Sequence, residues 1–332
     1  MDAVRRRRFL LAASALLAAP LARAQARRPG RPFRIGVIPH MSPWGLEQVE
    51  SAMRDLGWVR GRDFALFQSD IPYGGDVDLT VKRVVDGGPD LIFAAVTSYV
   101  VVAQHLPKTI PIVMWASGYP VEAGVARSYA RSGTNVTGLA IYAGTDIFGK
   151  LLELLREAKP GIGRVGVLWS YAPPAHPRAE IDPCYDAIRK AARSLGLDVR
   201  MLEVDQPERM AAAFDWIASQ RVEALMLTSG APLAPHRQEI MTFTIEKRLP
   251  TIVDFEWLGI EPQPLLRYSP SAAALIRQAV VYVDKILKGA NPADLPIERP
   301  AKFELVVNQK TATALGITIP QSILIRADRV IE

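Results

Sequence analysis

The side chains of this chain best suited to chemistry are hydroxyls and aromatic rings gathered just after short apolar runs. Ser42 and Trp44 follow RIGVIP (34–39), Thr97 and Ser98 follow LIFAAV, and Ser117 and Tyr119 close IPIVMWASGY. Tyr142 ends NVTGLAIY, Ser170 and Tyr171 follow RVGVLW, Thr228 and Ser229 follow EALML, and Asp254 ends LPTIVD. Hydroxyls at the mouth of a helix offer donors to an anion, and the helix dipole adds to their pull. Thr97 and Ser98 are therefore candidates for binding a carboxylate, although helix capping alone would also place them there. Asp254 or Glu256 could meet an ammonium group. Trp44, Trp115, Tyr119, Trp169, Tyr171 and Trp257 fall in or beside the same loops although aromatics make up only 8% of the chain. Such rings suit the wall of a site for an apolar or planar ligand portion, with Trp115 and Trp169 also suited to core positions.

Chemistry beyond binding finds no support in the sequence. Gly161, Gly163 and Gly166 satisfy GxGxxG, but they precede a strand, whereas a dinucleotide fingerprint must follow one and open a helix. No GxxxxGK[ST], GxSxG or HExxH occurs, and His40, His105, His176 and His236 are scattered singly. No catalytic residue, metal site or cofactor is expected. Cys184 is the only cysteine, which excludes an intramolecular disulfide and leaves stability to packing.

The elements that would position these loops repeat. RIGVIP, LGW, DLIFAAVTS and IPIVMWAS in the first half are echoed by RVGVLWS, LGLDVRML, EALMLTS and LPTIVDFEW about 130 residues later. The apolar runs do not alternate, as in parallel strands buried on both faces, and helical spacing fills the intervals. The spacing predicts helices over 45–56, 76–85, 99–106, 121–129, 145–159, 183–195, 207–219, 234–248, 272–287 and 309–315. The fold class that follows is α/β: two lobes, each a parallel sheet flanked by helices, joined by a hinge of several crossovers. Residues 33–140 with about 265–295 are expected to form lobe one, and 141–264 with about 296–332 lobe two. In such sheets ligands bind at the carboxyl ends of the strands, where the hydroxyls and rings stand.

Ahead of both lobes, Arg5–Arg8, the apolar stretch 9–21 and Ala22-Arg23-Ala24 have the form of a secretory signal peptide over 1–24, followed by a linker over 25–32. Arg6-Arg7-Arg8-Phe9-Leu10 also fits a twin-arginine export signal. The apolar core is too short for a permanent span, so no membrane-spanning segment is expected. Residues 1–24 hold five arginines and one aspartate, so the net charge of +6 falls to +2 without them. That leaves no argument for a nucleic-acid partner, which wants a clustered basic face.

RIGVIP, LGWVRGRDF, PDLIFAAVTS, TIPIVMWASGYPV, NVTGLAIY, RVGVLW and above all the block from Tyr282 to Glu332 resemble the ABC transporter substrate-binding protein family, which includes tryptophan-uptake-like receptors. The resemblance implies a periplasmic-binding-protein fold. It also implies a periplasmic, monomeric receptor that captures a small solute and passes it to an ABC permease served by a separate ATPase. The chain departs from its relatives at Tyr119, at Ser170–His176 and at Arg267, so ligand identity is not carried over with the fold. The expected ligand is a small carboxylate or amino-acid-like molecule with an apolar or aromatic part. A sensor presenting the same ligand to a membrane receptor fits the sequence equally, while a secreted enzyme would need catalytic groups that it lacks.

Overall fold

A computed structural model describes residues 31–105, 110–170, 178–228, 230–256 and 260–332. Tyr171, Ser229 and Trp257, the end of the helix expected at 99–106, the proposed leader and most of the linker lie outside them.

Two sheets carry the architecture. In the first, β1 (Phe33–Ile38) pairs in parallel with β2 (Phe64–Gln68) on one side and β3 (Leu91–Ala95) on the other, followed by β4 (Ile112–Ser117) and β5 (Val136–Ala140). The order 2-1-3-4-5 returns in the second sheet, where β6 (Arg164–Ser170) lies between β7 (Asp198–Val204) and β8 (Ala224–Leu227), with β9 (Thr251–Val253) and β10 (Leu266–Ser269) beyond. Ile35–Ile38 of β1 face Leu91–Ala94 of β3 as Val165–Leu168 of β6 face Ala224–Leu227 of β8. The repeat seen in the sequence is thus a repeat of register as well as of composition.

Three late strands complete the sheets. β11 (Ile297–Glu298) adds to β5 in the first, and β12 (Glu304–Asn308), antiparallel to β10, carries β13 (Arg329–Ile331) in the second. The sheets therefore exchange chain after Ser269 and after Glu298, where the sequence reading set the exchanges near 265 and 296. The reason is local: LRYS finds its partner in β9, and a two-residue strand is too short to show as an apolar run. Together with 141–145 these two passages make three connections between the lobes, the arrangement of a hinge.

Helices cover both faces. α1 (Pro43–Asp55) and α2 (Val77–Asp86) open on side-chain caps, Ser42 and Asp76. α3 (Thr97–Gln104) differs from its expected form. Its cap is Val96 at φ 62°, with no side-chain hydrogen bond, so Thr97 and Ser98 lie inside the first turn. A β-branched residue with positive φ is strained. Here the Val96 N–H is held by the Ala116 carbonyl (2.6 Å) beside a register shift in β3, so neighbouring structure imposes the conformation. Residues 121–129, expected to be helical, run as successive turns, with Val125 N–H reaching Pro120 O (2.8 Å) and Gly124 at φ 75°, a conformation that ends any helix begun at Val121.

In lobe two, α4 (Asp146–Ala158) buries Leu151, Leu152, Leu154 and Leu155, as its periodicity predicts. α5 (Arg178–Leu195) carries Pro183 and the buried Cys184 inside it, so the cysteine is a helix-interior residue and does not mark the helix start. α6 (Met210–Gln220) and α7 (Arg237–Glu246) follow, each opened by a short tighter turn. α8 (Ala272–Leu287) returns to lobe one, burying Leu275, Ile276, Ala279, Val280, Val283 and Ile286 against β4, β5 and α1. α9 (Gln309–Leu315) and α10 (Gln321–Arg326) close the chain's last turn around lobe two. Among the described residues, no helix is long and apolar enough to cross a membrane.

Candidate functional site

A cavity of about 600 Å³ opens at the carboxyl ends of both sheets. That volume is in the usual range for small-molecule sites. Lobe one contributes the turn after β1 with the start of α1, the β2–α2 loop at Pro72 and Tyr73, the β3–α3 junction, and the residues leaving β4 and β5. Lobe two contributes the ends of β6, β8 and β9, the run into α7, and Ile181 and Cys184 of α5.

A chain of aromatic rings that includes the lining residues Tyr119, Tyr142 and Trp169 joins the lobes. Tyr119 lies 5.2 Å, centroid to centroid, from Tyr142. Tyr142 lies 5.4 Å from Phe148, Phe148 5.0 Å from Trp169, and Trp169 5.1 Å from Tyr185. Burial holds the Tyr119 and Tyr142 hydroxyls far above the ordinary phenol range, so both stay neutral. The Tyr119 hydroxyl donates to Gly144 O (3.1 Å). A second aromatic wall crosses the gap where Trp115, at the end of β4, sets its ring 6.2 Å from that of Phe255, which follows β9.

Of the residues singled out in the sequence, Ser42, Trp44, Thr97, Tyr119, Tyr142, Ser170 and Thr228 line this cavity. Their hydroxyls are not equally free. Ser42 Oγ accepts from Gly45 N–H (3.3 Å), capping α1. Thr97 Oγ1 accepts from Gly118 N–H (3.0 Å) and shares a hydrogen with Ser117 Oγ (3.1 Å), so this pair pins the β4 exit loop to α3. Thr228 Oγ1 takes the Ser170 N–H (2.8 Å). Ser98, Ser117 and Asp254 are buried behind the lining and do not form it. Asp254, only 1% exposed, accepts the Tyr142 hydroxyl (2.6 Å).

Two buried polar atoms of lining residues, Trp115 Nε1 in lobe one and Ser170 Oγ in lobe two, have no hydrogen-bond partner among the described residues. Unmade hydrogen bonds on buried groups are costly, so each is a group that a guest reaching it would satisfy. Gly230 leaves room for the Ser170 side chain: a Cβ there would sit 2.2 Å from Ser170 Oγ.

Sequence reasoning missed three lining residues of consequence. Tyr73 stands in the loop after β2, which the repeated runs do not single out, and Phe255 sits between the more conspicuous charges of Asp254 and Glu256. Arg237 was missed because the run from β8 to α7 continues past Ser229 and folds back over the opening. The acid Glu256 lines the cavity but is bound to Arg267 (2.7 Å), itself 3.8 Å from Glu304. Burial raises the Glu256 carboxyl above its ordinary value despite that partner, and lowers Arg267. Among the described residues, no group of three or more His, Cys, Asp or Glu side chains is placed to hold a metal ion.

Comparison with known proteins gives this geometry a setting. Residues 49–331 match the family model described as ABC transporter substrate binding protein. A tyrosine-binding protein of Clostridioides difficile (strain R20291) is 24% identical over 270 residues, spanning 80% of this chain and 74% of the relative. The fold is that of a Streptococcus pneumoniae ABC domain solved in complex with L-Trp (TM-score 0.75, 22% identity, 90% of this chain and all of the other). It is also that of a ligand-free, open substrate-binding protein with adhesive properties from Clostridium difficile (TM-score 0.61, 20% identity, 91% and 99%).

Proposed function

We propose that this chain, which belongs to the ABC transporter substrate-binding protein family, is an extracytoplasmic solute receptor that closes on a small organic acid or amino-acid-like molecule with an aromatic part. Residues 1–24 act as the export signal, and the loaded receptor docks as a monomer on a permease driven by a separate ATPase. No step requires a bond to be made or broken. A ligand that touches both lobes stabilises the closed arrangement by its differential affinity for it.

The observation that carries the reading is one space of about 600 Å³ walled by aromatic rings from both lobes, with Trp115 and Phe255 meeting across it. A molecule that fills it touches both lobes. The relatives named above as binding tyrosine or carrying L-Trp agree with an aromatic ligand.

The test is a thermal-shift screen of residues 25–332 against amino acids, aromatic acids, purines and sugars, with mass spectrometry of any ligand that co-purifies. Any solute that binds the folded chain selectively raises its melting temperature. Saturable binding without turnover of an aromatic solute is the expected result. Turnover of a hit, or no response to any class, would remove the receptor reading.

A further inference from the structure

Arg237, the first residue of α7, stands on the lobe-two side of the cavity with its guanidinium 5.7 Å from the centre of the Tyr73 ring of lobe one. Its Nε donates to Ala234 O (3.0 Å), and no carboxylate of the described residues pairs with it. Burial depresses its pKa, with Tyr73 opposing the shift. A partly buried cation facing a cavity without a counter-ion is costly to hold, and an incoming anion removes that cost.

The acids around the same space are committed. Among the described residues Glu256 is the only carboxylate on the lining, and Arg267 holds it at 2.7 Å. Asp254 lies behind the wall under the Tyr142 hydroxyl. His40, the other basic side chain of the lining, has both ring nitrogens engaged, by Ser69 O (2.9 Å) and Gln68 Nε2 (3.3 Å). The cavity thus offers a guest one uncommitted cation and no uncommitted anion among the described residues.

Resting on the receptor reading above, we infer that the preferred ligand is an aromatic carboxylate without an α-ammonium group. Arg237 receives its carboxylate, and Trp115, Tyr119 and Phe255 flank its ring. An α-amino acid would bring the same carboxylate and ring but would strand its ammonium away from water with no free acid to meet it. A buried charge of that kind is far more costly than a missing hydrogen bond. The preference therefore runs opposite to the amino acids bound by the relatives.

The test is calorimetric titration of the purified chain with three matched pairs: 3-phenylpropionate and phenylalanine, 3-(4-hydroxyphenyl)propionate and tyrosine, indole-3-propionate and tryptophan. The des-amino acid of the best pair should bind at least about tenfold more tightly than its amino acid, and Arg237→Gln should weaken that acid by about tenfold or more, with Arg237→Lys in between. Equal or tighter binding of the amino acids, or an unchanged affinity in Arg237→Gln, overturns the inference and leaves the receptor reading standing. Binding of none of the six while another solute class raises the melting temperature overturns it in the same way. Silence toward every class overturns the receptor reading itself. The comparison of pairs needs no variant, so it decides the matter even if Arg237→Gln folds poorly.

Discussion

Single residues divide here into those that hold the site and those that wait for a guest. The sequence placed hydroxyls at the strand ends but could not say which were spoken for, because that depends on partners far away in the chain. Thr97 meets Ser117 and Gly118 across 20 residues and Ser170 meets Thr228 across 58. Ser170 lends itself to a separation of roles. Its hydroxyl has no hydrogen-bond partner among the described residues and the residue is 4% exposed, so Ser170→Ala removes a buried, unsatisfied group. We expect its melting temperature to hold or rise while affinity for the ligand found by screening falls; a clear loss of stability would show that the hydroxyl serves the fold. Glu256 makes a pH prediction. Its pKa is raised in the folded state above the ordinary 4.5, so its contribution to stability is complete below that value and is lost as pH climbs through the raised one. The stability of the parent relative to Glu256→Gln should fall as pH rises across that window. A parent that gains on the variant as pH rises would mean that Arg267 outweighs burial and holds the carboxyl below its ordinary value. Arg237 was illegible for a simpler reason: its importance lies in pairing with no carboxylate of the described residues, and no local sequence pattern encodes an absent partner.

Elements were the most legible level, since apolar runs and helical spacing report burial directly. The strands of both repeats and the helices over 272–287 and 309–315 stand where the periodicity put them. The failures are places where the backbone is governed by what packs against it. The stretch at 121–129 has helix-forming residues but turns under Pro120, and Val96 adopts a positive φ because β4 holds its amide. Gly138 in β5 is the sharpest such case. It sits at φ 123°, and a Cβ there would lie 2.0 Å from the Met114 carbonyl oxygen and 2.7 Å from the Met114 amide nitrogen of the neighbouring strand. Because those atoms are backbone, the clash cannot be relieved by a rotamer change. Gly138→Ala should therefore destabilise the chain by at least about 2 kcal/mol, the scale of strain at a forbidden φ combined with overpacking. Denaturant unfolding measures it, and a cost near zero would show that β5 can slide along β4. The same strand carries Ile141 and Tyr142 into the cavity, so ligand binding should weaken in parallel.

At the scale of the molecule, duplication, two lobes and a shared gap were all readable from the repeated runs, whereas the seam between the lobes was not. That seam is crossed where the β2–α2 loop meets the approach to α7. Beside the Tyr73 ring and Arg237, Gly74 at φ 92° leaves so little room that a Cβ would stand 2.5 Å from Pro235 Cδ, 2.6 Å from its Cγ and 2.8 Å from Ala231 O. If closure around a ligand is how this protein works, a side chain at 74 taxes the closed arrangement, and apparent affinity falls by the fraction of molecules no longer able to close. We expect Gly74→Ala to bind the screened ligand about tenfold more weakly. Strain at that φ could cause the same loss without any effect on closure. Adding Pro235→Ala separates the two, because it removes the ring carbons that meet the new Cβ and leaves the backbone of residue 74 as strained as before. Affinity restored in part by the second substitution, with the ligand-bound radius of gyration returning toward the parent's in X-ray scattering, is the result closure requires. Were the double variant no better than Gly74→Ala alone, the Pro235 ring would have no part in the loss, and strain at residue 74 or the 2.8 Å approach to Ala231 O, which the double variant keeps, would account for it.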